Sequence, residues 1–196
     1  MAAVSSIDRL SQAEYLRLER AAEVRSEYYD GQTFAMAGGS RWHSVIKSNL
    51  IRELGNQLKK SRCVVYDADL RVKVEMAGLY TYPDVSVACD EQRFEDERQD
   101  TLLTPTILIE VLSESREGYD PGKKSEMYRR IPSLREYVLV SQNRPQIEQF
   151  IRQPNGEWLL REISGKENSL HLPSIEASVP LSEIFANVEF VSAALH

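Results

Sequence analysis

The stretch "ILIEVLSESREGYDPGKKSEMYRR", residues 107–130, sets an acid inside an aliphatic run and two lysines on the helix that follows. It opens as a near-continuous aliphatic run, the pattern of a strand buried on both faces, yet it carries Glu110 in its middle. An ionised carboxylate inside a sheet costs several kcal/mol unless it is paired, so Glu110 requires a cation, a metal ion or a mouth to water. A polar loop follows, and then a helix is predicted over about 121–131, opening with Lys123 and Lys124. On that helix Lys124 shares a stripe with Met127, Tyr128 and Ile131, at i+3, i+4 and i+7. Lys123 is rotated about 100° away, toward Arg130 and solvent. A lysine on an apolar stripe either snorkels along the core or aims its ammonium at a buried carboxylate.

A second acid resembles Glu110. In "YTYPDVSVACD", residues 80–90, Asp84 follows Pro83 at the head of a strand. Val85 and Val87 take one face of that strand, leaving Asp84 with Ser86 and Ala88 on the other. Alone, Pro-Asp is a common turn pair. Two carboxylates on nearby strands repel each other unless a divalent cation or a shared proton holds them. In "GGSRWHSVIKSNL", His43 is in phase with Ile46, Leu50 and Leu54, so it faces inward near a helix N-terminus, as a core histidine or as a site residue. Gly38-Gly39 lacks the downstream Lys-Ser/Thr of a nucleotide-binding loop and reads as a flexible entry to that helix.

Around these residues the chain alternates α and β. A helix over 11–23 has Ser11 and Glu14 at capping-box spacing. Asp30-Gly31 marks a tight hairpin between two short strands. Ser40 caps a helix reaching about residue 60, and strands are expected near 63–66, 69–75, 82–89 and 106–112. The final third breaks into short strands at Asn-Arg-Pro, Pro-Asn-Gly and Gly-Lys-Glu-Asn turns, the mark of an antiparallel meander. The acidic run "DEQRFEDERQD", residues 90–100, reads as a solvated surface loop.

With 196 residues, 42% of them hydrophobic, the chain suits a single domain, 1–196, with a sizeable core. The net charge of -6 provides no global field toward nucleic acid or anionic lipid, so any such binding is local. No stretch approaches the roughly 20 apolar residues of a membrane span, and the N-terminus has no apolar signal region, so a cytoplasmic protein is expected. Cys63 and Cys89 lie apart in apolar contexts and read as reduced core residues.

Taken in order, "YYDGQTFAMAGGS", His43, Asp84 in "YPDVSV", Glu110 in "ILIEVLS", Lys124 in "YDPGKK" and "YRRIPSLREYVLVSQ" resemble a restriction-endonuclease-like family of unknown function (Uma2-like). That family is placed in the PD-(D/E)XK nuclease superfamily. The resemblance spans about residues 11–190, and its specificity lies in the ordered set. It implies a restriction-endonuclease-like mixed β-sheet flanked by helices, with a C-terminal antiparallel meander. It also implies Mg²⁺- or Mn²⁺-dependent hydrolysis of nucleic acid, DNA first, by a homodimer without a membrane partner. Asp84 and Glu110 are then metal ligands, joined by the backbone carbonyl of Val111. The superfamily pattern has lysine two residues after the glutamate, where this chain has Leu112. Lys124 stands as the migrated lysine, and His43 and Glu27 match polar positions near the site. The alternative reading is a nuclease-fold binding or regulatory module with weak or lost catalysis, consistent with an acidic chain that has only short basic clusters.

Overall fold

The computed structural model describes residues 9–36, 38–112 and 121–190. The polar loop expected between the strand of Glu110 and the helix of Lys124, 113–120, lies outside the described residues. Helix α1 (Gln12–Glu19) opens on the expected capping box: Ser11 Oγ accepts the Glu14 N–H, and the Glu14 carboxylate accepts the Ser11 N–H. Strands β1 (Ser26–Tyr29) and β2 (Gln32–Ala35) form the Asp30-Gly31 hairpin, with both turn residues at positive φ, 49° and 81°. Helix α2 (Arg41–Leu58) is capped by Ser40, whose Oγ accepts the His43 N–H.

Then follow β3 (Cys63–Asp67), β4 (Arg71–Val74), β5 (Leu79–Thr81), β6 (Val85–Cys89), β7 (Thr101–Leu102) and β8 (Ile107–Leu112). Helix α3 (Pro121–Tyr128) leads to β9 (Glu136–Ser141), β10 (Gln146–Arg152) and β11 (Trp158–Ser164). The pair β12 (Ser169–Leu172) and β13 (Ala177–Pro180) and the short α4 (Leu181–Ile184) complete the order. The mixed α/β architecture with its C-terminal antiparallel strands is the expected one. Helix α3 ends at Tyr128 rather than near 131; Ile131 follows in a turn, still buried.

The main sheet has six strands in the order β11-β10-β9-β8-β6-β3, antiparallel except for the parallel pair β8–β9. A second sheet, β2-β1-β5-β4-β7, was not separable from the sequence. The two faces of β8 divide the core. Ile107, Ile109 and Val111 pack with Ile46, Leu50 and Leu54 of α2 and with Leu170, Leu172 and Val179 of the C-terminal hairpin. Leu108 and Leu139 pack with Val72, Val74 and Leu79 of the second sheet and with Met127 and Tyr128 of α3. Glu110, on the same face as Leu108, therefore sits at the seam between the sheets under α3.

Two expectations need correction. Cys63 and Cys89 are directly opposed in the β3–β6 register and form a disulfide across a sequence separation of 26. Sequence spacing gave no register between these strands, so the pairing could not be read. The acidic run is also more than a solvated loop. Phe94 bridges to Leu102, and Asp96 and Asp100 bind Arg20, which joins this run to the end of α1. Among the described residues no helix is long and apolar enough to cross a membrane.

Candidate active site at the seam of the two sheets

The five proposed catalytic side chains fall into two hydrogen-bonded groups around the ends of β6 and β8, His43 with Asp84 and Glu110 with Lys124 and Glu27. Continuing the Val85↔Ile109 register by one step sets Asp84 opposite Glu110. Both are almost fully buried, at 5% and 4% exposure, as is His43 at 8%. Burial this deep demands partners.

Asp84 is held from the α2 side. Its Oδ2 lies 3.0 Å from His43 Nε2 and accepts the Val111 N–H at 2.8 Å. The inward phase of His43 on α2 thus has a purpose beyond packing. Gly39 is part of it, because a Cβ there would fall 2.7 Å from His43 Nδ1. The glycine leaves room for the imidazole and is not merely a flexible entry.

Glu110 is held from the α3 side. Lys124 Nζ lies 2.9 Å from Glu110 Oε1 and donates to Glu27 Oε1 at 2.8 Å. One ammonium therefore joins strands from two sheets, β8 and β1. Tyr128 OH donates to the same Glu110 oxygen at 2.8 Å, and Thr81 Oγ1 of β5 donates to Glu27 and lies 3.1 Å from Tyr128 OH. Burial would lower the affinity of Lys124 for its proton, but Glu110 and Glu27 more than offset this and the net shift is upward. Lys124 is a cation at neutral pH. Burial, then the charges of Glu110 and Glu27, push the Tyr128 phenol well above its usual range, so Tyr128 acts as a neutral donor.

The sequence placed Lys124 on the stripe of Met127 and Tyr128, and the structure puts all three inward while Lys123 is exposed near the Tyr29 ring. Tyr128 and Thr81 were missed as site residues. An aromatic on an apolar stripe reads as core, and only its hydroxyl meeting Glu110 reveals more.

The donor chemistry fits a hard divalent cation: two carboxylates on opposed positions, with oxygen ligands only. Among the described residues no three His, Cys, Asp or Glu side chains converge as a metal cluster. Such a cation would rest on two side chains, with main-chain carbonyl, water or substrate oxygen as its other ligands.

A family model described as "Putative restriction endonuclease", Uma2, matches residues 12–182. The chain belongs to the Uma2 family. Two uncharacterized proteins of Synechocystis sp. are similar along nearly their whole length. One, slr1290, is 36% identical over 183 residues, covering 93% of this chain and 94% of that protein. The other, sll1609, is 34% identical over 166 residues, covering 85% and 94%. A crystal structure of "a putative nuclease belonging to DUF820" from Anabaena variabilis superposes with a TM-score of 0.73, covering 90% of this chain and 98% of that one. At 18% identity this last likeness establishes the restriction-endonuclease-like fold alone.

Proposed function

We propose that this Uma2-family chain is a metal-dependent nuclease that hydrolyses phosphodiester bonds of nucleic acid, DNA first. One observation carries the reading: the α3 residue Lys124 reaches Glu110 at 2.9 Å, although Leu112 occupies the strand position where the superfamily has its lysine. Asp84, Glu110 and the Val111 carbonyl would hold Mg²⁺ or Mn²⁺. A bound cation of this kind polarises a phosphoryl oxygen and makes its water a better nucleophile.

The chain's own residues do the rest. Lys124, kept charged by its two carboxylates, orients the attacking water and offsets the negative charge that grows on the phosphorus oxygens. A protonated amine is a charge stabiliser rather than the base. Glu27 fixes the ammonium, Tyr128 fixes Glu110, and His43 fixes Asp84. A homodimer would present two such sites to the two strands of a duplex.

The second reading, a binding module with weak or lost catalysis, is favoured by the absence of a three-ligand cluster among the described residues. One experiment separates the two. Wild type and Asp84→Ala are incubated with a mixed DNA and RNA pool in Mg²⁺ or Mn²⁺ and in EDTA. Cleavage by wild type only, and only with metal, is the expected result. Binding without cleavage by both proteins would favour the module.

A further inference from the structure

Beside the site, on the same face of the main sheet, lies a cavity of about 360 Å³ that the mechanism does not use. Leu112, Leu139, Asn143, Arg144, Gln146 and Glu148 line it. Its position follows from register. Leu139 is opposite Glu110 across β8–β9 and opposite Glu148 across β9–β10, so the three stand in one row and point to one face. Two strand spacings, about 10 Å, separate the backbones of Glu110 and Glu148.

The lining has a distinct chemistry. Among the described residues the side chains of Asn143, Arg144, Gln146 and Glu148 make no hydrogen bond or ion pair with one another or with other described side chains. The floor is apolar, with Leu139 buried and Leu112 half-buried. Polar side chains around an apolar floor, at this volume, are the make-up of a ligand pocket. A phosphate alone suits it poorly, because Glu148 would repel it. A nucleobase suits it well: its face lies on leucine, and its edge offers the donors and acceptors that amide, carboxylate and guanidinium groups pair with.

We propose that this groove seats an unstacked nucleobase, one bearing an exocyclic amine, next to the phosphodiester held at Asp84 and Glu110. Glu148 accepts from the amine, Asn143 and Gln146 complete the edge, and Arg144 meets the adjoining phosphate. A base in a duplex is stacked and cannot enter, so the substrate is single-stranded or locally unpaired at this point. The inference rests on the nuclease reading and deepens it.

Fluorescence anisotropy with 5′-labelled oligo(dA), oligo(dC) and oligo(dT) in EDTA tests it without cleavage. Wild type is expected to favour adenine and cytosine over thymine by roughly fivefold or more, the smaller end of what one well-made base contact provides. Glu148→Gln, which adds a donor able to meet thymine O4, should bring the three within about twofold or reverse the order. Arg144→Ala should weaken all three alike. Asn143→Ala, on the exposed turn, is a second variant and should also reduce the preference. Thermal melts accompany each variant, and a Glu148→Gln protein that fails to fold leaves Asn143→Ala to decide. If wild type binds no probe, the groove inference is overturned, while the nuclease reading stands or falls by the metal-dependent cleavage of the mixed pool. If it binds all three with no preference, or with one that neither Glu148→Gln nor Asn143→Ala alters, the groove inference alone is overturned.

Discussion

Tyr128 shows how much a single hydroxyl carries in this site. Its ring packs edge-on against Tyr137, 5.1 Å between centroids, while its OH donates to Glu110 and lies against Thr81. Tyr128→Phe keeps the ring and removes the donor. The expected cost is about 1–3 kcal/mol, the price of stripping a buried charged acceptor of one partner, read as a lowered urea midpoint with an unchanged slope. Unchanged stability would mean that Glu110 does not depend on this bond. The sequence carried part of the arrangement at this scale. Glu110 was legible because an acid in an aliphatic run has to be explained, and Lys124 because helical phase separates it from Lys123. Tyr128, Thr81 and Gly39 were not legible, because a phenol, a hydroxyl and a missing Cβ acquire their meaning only from what they face.

Among the elements, the acidic run and α1 illustrate a tether that composition disguises. Arg20 binds Asp100 through two nitrogens, at 2.8 and 2.7 Å, and Asp96 through one at 2.7 Å. The Arg20 guanidinium, helped by Arg71, draws the Asp100 carboxyl down to about 2. Its folded value is thus below the unfolded value of about 3.9, so the tether contributes fully above that value and is lost as pH falls toward 2. Asp100→Asn should therefore melt below wild type at neutral pH, and the gap should close between about pH 5 and pH 2. A gap that stays constant over that range would contradict the assignment. Elements with strong local signals were legible: the Ser11 and Ser40 caps, the Asp30-Gly31 hairpin and the strand of Glu110. The three-residue β5, the separate second sheet and the Cys63–Cys89 link were not, since each is defined by pairing between distant segments.

At the level of the whole molecule, the six-stranded sheet offers one face to α2 and the other to α3 and the second sheet, and the candidate site lies where these meet. Asp84 is positioned from one side and Glu110 from the other, so neither half of the core can build the site by itself. The net charge of -6 is compatible with the proposed chemistry, which asks for one cation, Lys124, at the candidate site and no global positive field. In the proposed mechanism Lys124 does the work of the lysine that the superfamily carries where this chain has Leu112. This role is tested most directly by single-turnover cleavage of a nucleic-acid pool by Lys124→Ala, Lys123→Ala and the double variant Leu112→Lys with Lys124→Ala. Lys124→Ala should lose on the order of 10²-fold in rate, the usual consequence of removing a preorganised charge stabiliser, with metal affinity little changed. Lys123→Ala should lose only a modest, salt-dependent part of substrate binding, and Leu112→Lys should partly restore the Lys124→Ala protein. Full activity in Lys124→Ala, or a collapse confined to Lys123→Ala, would rule out this role for Lys124.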